Sequence, residues 1–271
     1  MTTPVFELCE VGYRYGKIEA LRGVSLAVQP GEHIALLGAN GSGKSTLLKI
    51  LAGLYFPSSG QVQFLGERLT EATLQDDKPA AEFRRRVGLV FQNPDVQLFN
   101  PTVFEEIAFG PLQMRWDSAT IRERVEQAME FMQIAHLRDR SPHRLSGGEK
   151  KRVAVASVLV LEPEVLLLDE PTAALDPRSQ SRIIDLLAEW KNTSRTVITA
   201  THQLELVEEI SAVAHVMQAG SIVASGTPHD ILHDHALLES CNLIHAHRHR
   251  HGNVEHSHPH VHGHTSHQHE H

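Results

Sequence analysis

Short, continuous apolar runs alternate with helical periodicity along most of this chain. His33–Leu37, Val87–Phe91, Val165–Leu168 and Thr196–Thr199 are apolar at successive positions rather than alternate ones. That is the pattern of strands buried on both faces, as in a parallel sheet covered by helices. Ser45–Ala52 and Ser179–Trp190 predict helices, the second with Ile183, Leu186, Leu187 and Trp190 on one stripe. Val5–Glu10, Val24–Val28 and Gln61–Phe64 predict a more exposed, antiparallel portion. Between Thr102 and Leu161 the strands stop, and Ile121, Val125, Met129 and Met132 recur at helical spacing, a stripe that reads as core packing. The expectation is an α/β fold: a parallel-sheet core, an antiparallel β portion, and an α-helical subdomain inserted over about residues 100–161.

Composition draws the boundaries. From residue 245 to 271, 12 of 27 residues are His and apolar residues almost vanish, so this tail cannot build a core and is expected to be disordered. The folded part is placed at residues 4–240. With 271 residues, 41% of them hydrophobic, the chain has enough material for one domain with a subdomain. A net charge of -8 gives no electrostatic ground for a nucleic-acid partner. Cys9 and Cys241 lie far apart and fit no metal or redox spacing, which points to a reducing cytoplasm. The start of the chain lacks the basic and apolar regions of a signal peptide. The most apolar run, Val153–Leu161, is half a membrane span and contains Ser157, so any membrane connection is expected to run through partners.

The chemistry starts at Gly38-Ala39-Asn40-Gly41-Ser42-Gly43-Lys44-Ser45-Thr46, which fits G-x-x-x-x-G-K-[ST] between a strand and a helix. Glycines let successive N–H groups turn inward around phosphates, and the following helix offers the positive end of its dipole. Lys44 supplies a point charge for the β- and γ-phosphates of ATP, and Ser45 a hydroxyl for Mg²⁺. Farther on, the apolar strand Val165–Leu168 ends in Asp169 and Glu170. Adjacent strand residues point opposite ways, so the two acids take different tasks. Asp169 suits the Mg²⁺ shell, and Glu170 suits the general base that polarises an attacking water.

Leu145-Ser146-Gly147-Gly148-Glu149, about twenty residues before that acidic pair, opens another helix with an anion-binding start. In this order and spacing the chain resembles an ABC-transporter ATPase over roughly residues 5–230. The resemblance implies a P-loop NTPase (RecA-like) core and further roles at matching positions. Tyr15 falls where the family stacks an aromatic on adenine, with Tyr13 the rival position. Gln92 matches the glutamine that senses Mg²⁺ and water and abuts the membrane partner. Ala174-Leu175-Asp176 is similar to the loop that crosses the dimer interface, and His202 to the switch histidine that contacts the γ-phosphate. The resemblance also implies a head-to-tail pairing with a second cassette, the same chain or a relative. ATP would then lie between Lys44 of one subunit and Ser146, Gly147 and Gly148 of the other. The catalytic set is thus Glu170, His202 and Gln92, with Ser45 and Gln92 toward Mg²⁺.

Val90–Phe99, then Pro101-Thr102-Val103 and Ala108–Pro111, together with Leu145–Val153, look like ATPases of energy-coupling-factor importers, especially the cobalt and nickel branch. There the segment after Gln92 would line a groove for a transmembrane scaffold protein, beside a substrate-capture membrane protein. The ATPase would work at the cytoplasmic face of the membrane. Leu98 and Phe99 are either groove contacts or caps of the helical subdomain. In the tail, His245, His247, His249, His251, His256, His258, His260, His262 and His264 alternate with other residues. Imidazole suits Ni, Co, Cu and Zn ions, so the tail fits a buffer or sensor of the imported metal without separating Ni²⁺ from Co²⁺. The alternatives are vitamin uptake with an incidental tail, and a soluble ABC ATPase. The second lacks support, since no coiled coil, zinc hook or second cassette is present.

Overall fold

The structure, a computed structural model, describes residues 3–173, 175–191, 193–251 and 254–261, with side chains described as far as Ile244. Ala174, His262 and His264 therefore lie outside the described residues, as do the side chains of the other tail histidines.

The chain opens with a long hairpin, β1 (Phe6–Tyr15) and β2 (Ile18–Val28), and then enters the central sheet with β3 (His33–Leu37). Helix α1 (Lys44–Leu51) follows at once, and β4 (Ser59–Phe64) and β5 (Glu67–Arg68) return to the hairpin. The result is a four-stranded antiparallel sheet in the order β2-β1-β4-β5. Helix α2 (Asp77–Arg86) leads into β6 (Val87–Val90). Three helices then run in succession: α3 (Val103–Gln113), α4 (Ser118–Phe131) and α5 (Gly147–Leu159). The sheet resumes with β7 (Val165–Asp169), α6 (Pro177–Trp190) and β8 (Thr196–Thr201). A short α7 (Val207–Ile210), β9 (Val213–Gln218) and β10 (Ser221–Gly226) complete it. Helices α8 (Pro228–His233) and α9 (His235–Ser240) close the body. Beyond them, β11 (Ile244–His251) and β12 (Val254–Val261) pair their backbones antiparallel.

The central sheet has the order β10-β9-β3-β8-β7-β6. Five of its strands are parallel, and β10 adds an antiparallel edge. Strands β3, β7 and β8 are buried at every residue, which is why they read as continuous, largely apolar runs without alternation. Their two faces nonetheless serve different cores. Leu166 and Leu168 of β7 join Ile107, Val125, Met129, Val153, Ile183 and Leu187 of the helices. Val165 and Leu167 join Phe6, Leu8, Val28, Leu47 and Leu51 from the antiparallel sheet and α1. The sheet is therefore sandwiched between helices on one side and α1 with the hairpin sheet on the other.

Helix ends are set by local chemistry. Thr102 caps α3 through Glu105 N at 3.2 Å, and Asp117 caps α4 through Ala119 N and Thr120 N. The stripe Ile121, Val125, Met129 and Met132 is buried in the helical core. Helix α6 buries Ile183, Leu186, Leu187 and Trp190 along the face its periodicity marked.

Candidate functional site

In a parallel sheet, ligands gather at the carboxyl ends of the strands, and here register brings three chemically equipped ends side by side. Leu37 pairs with Thr201, and Asp169 pairs with Ala200. So the loop after β3, the acids ending β7 and His202 after β8 emerge together.

The loop Gly38–Thr46 needs Gly38 and Gly43 for space. A Cβ on Gly43, whose φ is +109°, would stand 2.8 Å from Ala20 O and 2.9 Å from Leu21 Cδ2. One on Gly38 would meet Met217 O at 2.5 Å. Side chains are thus excluded at these two positions, which keeps the backbone bare as a phosphate-binding loop requires. Lys44 is buried, its Nζ donating to Gly38 O at 2.6 Å and Ala39 O at 3.3 Å. Burial pushes its ammonium pKa down, and the Glu170 and Asp169 carboxylates oppose that shift. Ser45 Oγ donates to Asp169 Oδ1 at 3.0 Å. A hydroxyl and a carboxylate oxygen in contact are hard ligands of the kind Mg²⁺ takes while keeping waters and phosphate oxygens. Asp169 is buried, and this desolvation pushes its carboxyl pKa up, with the Ser45 bond acting the other way.

Glu170 is held at both its backbone and its side chain. Its φ of +46° lies in the left-handed region, rare for a residue with a side chain. Its N–H is tied to Ala200 O at 2.9 Å. Oε1 sits 2.9 Å from His202 Nδ1 and 3.8 Å from Lys44 Nζ. Oε2 is buried with no hydrogen-bond partner. A buried carboxylate oxygen without a donor is costly unless something else approaches it. A left-handed backbone and an orphaned carboxylate oxygen thus coincide at one residue beside the glycine-rich loop. His202 is half-exposed and bridges this acid to solvent.

Tyr15 hydroxyl lies 3.4 Å from Thr46 Oγ1, so it reaches the phosphate loop, and its ring is partly exposed. Tyr13 instead stacks on Tyr55, with centroids 5.2 Å apart and planes 8° off parallel. Of the two, Tyr15 is the one available to a base at this loop.

Ser146, Gly147 and Gly148 start α5 as an exposed helix N-terminus. Ser146 accepts from Glu149 N at 3.3 Å, and Glu149 Oε2 accepts from Ser146 N at 2.8 Å. Among the described residues, no hydrogen bond joins this segment to the phosphate loop of the same chain. Asp176 caps α6 through Ser179 N at 3.1 Å and approaches Gly148, so the two loops share a surface.

Gln92 follows β6 with its side chain exposed, while its backbone is held from beneath. The holder is Lys151, a residue whose place in the run Lys150-Lys151-Arg152 suggests solvation. Lys151 is 1% exposed. Its Nζ donates to Phe91 O at 2.8 Å, Gln92 O at 3.1 Å and Asp169 O at 3.5 Å. Burial lowers its pKa to about 8, against the pull of Asp169 and Glu170. One ammonium thus fastens α5 to the Gln92 loop and to the end of β7. Its neighbour Lys150 points outward to Asp95.

Sequence reasoning left Lys151 out of the site. The signal was its spacing: three and four residues before Ala154 and Val155, it falls on the buried side of α5.

A glycine-rich loop with a buried lysine, set beside two adjacent acids at the ends of a parallel sheet, is the arrangement of a P-loop nucleotide-binding fold. The ABC transporter family profile matches residues 21–173. The nickel import ATP-binding protein NikO of Rhodobacter capsulatus is 52% identical over 245 residues, covering 89% of this chain and 96% of its own. Among solved structures, cbiO1 of Clostridium perfringens, part of the transporter complex cbiONQ, superposes with a TM-score of 0.74 at 38% identity. That match covers 89% of this chain and 95% of cbiO1. The ATP-binding cassette MJ0796, a dimer in a post-hydrolysis state bound to ADP and Pi, gives a TM-score of 0.74 at 28% identity, covering 82% and 98%. This chain belongs to the ABC transporter ATPase family. It is an ATPase, working with ATP and Mg²⁺, and it resembles the energy-coupling-factor branch with its nickel and cobalt importers.

Proposed function

We propose that two such cassettes assemble head to tail and power the import of nickel or cobalt across the cytoplasmic membrane. The single observation that carries the pairing is the exposed start of α5. Ser146 and Gly147 are exposed and Gly148 half-buried there, and among the described residues none of them is hydrogen-bonded to the chain's own phosphate loop. Each ATP would lie between Gly38–Thr46 of one subunit and this helix start of the other. Lys44 and the loop N–H groups hold the β- and γ-phosphates, and Tyr15 stacks on the base. Ser45, Asp169 and Gln92 hold Mg²⁺, which neutralises charge on the phosphates during transfer. Glu170 accepts the proton of the attacking water, and His202 orients Glu170 and reads the γ-phosphate.

An exposed apolar patch supports the membrane partner. Val96, Phe99, Phe109 and Leu112 are all exposed, and Phe99 packs edge-on to Phe109 at 4.9 Å. Leu98, by contrast, is buried, so of the adjacent pair only Phe99 is free to meet a partner. The patch begins just beyond Gln92, which suits a coupling helix of a transmembrane scaffold, with a substrate-capture protein beside it. None of the described helices is long and apolar enough to cross a membrane itself; in this proposal, attachment at the cytoplasmic face uses that patch. The nickel substrate rests on the NikO relative, and the histidines of residues 245–271 fit a store for the same ion.

The test is uptake of radioactive Ni²⁺ and Co²⁺ in cells carrying the wild-type chain or Glu170→Gln. The proposal expects uptake of at least one metal to collapse in the variant. Unchanged uptake of both would remove the metal-import reading, and vitamin uptake would become the assay to run.

A further inference from the structure

Away from the ATP site, the two C-terminal turns that follow the switch histidine bring three metal-binding side chains together. Glu208 lies on α7, and His229 and His233 lie one turn apart on α8. One ligand atom from each lies within 4.8 Å of the others. His229 Nδ1 is 3.6 Å from Glu208 Oε1, and the two imidazole rings stand 4.0 Å apart between centroids. Bonds of about 2.0–2.2 Å to a first-row ion put two of its ligands roughly 3–4 Å apart. The pairs therefore need only small side-chain rotations to share one ion.

Two further bonds pre-set the group. His233 Nδ1 lies 2.8 Å from His229 O. A carbonyl only accepts, so Nδ1 carries the proton and Nε2 keeps its lone pair for a metal. This is the outer-shell bond that fixes tautomer and ring direction in metal-ligating histidines. Lys191 Nζ donates to Glu208 O at 3.1 Å and steadies the carboxylate-bearing turn without touching the carboxylate in that bond.

We infer that Glu208, His229 and His233 form a binding site for a divalent first-row transition ion, with water filling the remaining positions. Two imidazoles and one carboxylate on exposed ground suit Zn²⁺, Ni²⁺ or Co²⁺, and exclude a preference for Mg²⁺ or Ca²⁺. The site is separate from the tail histidines and independent of which ion is transported. An ion here ties α7, which leads away from His202, to α8. It thereby stiffens the segment between the switch and the C-terminal helices.

The test is hydrogen exchange followed peptide by peptide on the full chain, with Zn²⁺ or Ni²⁺ added until exchange in residues 245–271 stops changing. The expected result is at least a threefold slowing in peptides covering residues 204–210 and 228–234. In the double variant His229→Ala/His233→Ala that slowing is lost while the response of residues 245–271 persists. Glu208→Gln retains it at higher metal concentration. No slowing in the wild-type peptides, or equal slowing in the double variant, would overturn the site. All three side chains are exposed, so the variants are expected to fold, and their unchanged exchange without metal verifies it.

Discussion

Replacing Lys151 by Met removes the one ammonium that joins α5, the Gln92 loop and the end of β7, while keeping a side chain of similar length. The folded chain lowers the Lys151 pKa to about 8, against roughly 10.4 in an unfolded chain. Between those values the unfolded state binds the proton that the folded state has released. Stability from this group therefore rises with pH from about 8 to about 10.5, and is lost as pH falls through the folded value. Between pH 7 and pH 9.5 the linkage amounts to about 2 kcal/mol in favour of the folded state. The neutral amine keeps two N–H donors for the carbonyls of Phe91 and Gln92, so the contacts survive its titration.

Lys151→Met has no such titration. Urea unfolding of both proteins at pH 7 and pH 9.5 isolates the effect, because all other groups cancel in the difference. The gap between wild type and variant should move by about 2 kcal/mol toward the wild type as pH rises. Parallel pH dependence of the two proteins would refute the buried-ammonium account. At constant pH, loosening the Gln92 loop should lower kcat for ATP by about tenfold to a hundredfold with little change in KM, since a small misplacement near the reacting centre is expensive.

Gly43→Ala should lose ATP binding in a fluorescent-nucleotide titration and destabilise the fold by about 1–3 kcal/mol. Its new Cβ would press on Ala20 O and Leu21, and normal affinity would show that the loop tolerates a side chain there. Deleting residues 245–271 should leave ATPase turnover unchanged, because the site residues all lie before His245; a large loss would tie the tail to catalysis.

Much of this arrangement is legible from the residues alone, for a physical reason. Strands buried on both faces need apolar residues at every position, so β3, β7 and β8 stand out as runs. The phosphate loop is fixed by sterics and spacing, and the acids must end a strand to reach it. Less is legible where those constraints relax. The hairpin β1–β2 extends well past the segments its pattern marks, carried through register shifts near Val11 and Tyr13 that break period-two alternation. Helix α2 buries only Ala80 and Phe83 among charged neighbours, too few to mark a stripe. Strands β9 and β10 carry His215, Gln218 and Ser221, which weaken their apolar signal. Leu98 and Phe99 are equivalent in sequence, and only packing separates the buried one from the exposed one. Lys151 hides because charge suggests solvent, whereas three backbone carbonyls supply its surroundings.

If each ATP site is completed by a second chain, ATP should hold two chains together. Glu170→Gln keeps the shape of the side chain and removes its capacity to take a proton, so ATP should bind without being consumed. Light scattering of this variant with Mg²⁺ and ATP, and again with ADP, reads the pairing as a mass. The mass should be twice that of the chain with ATP and that of one chain with ADP. A variant that binds ATP stoichiometrically yet stays at the mass of one chain would contradict it.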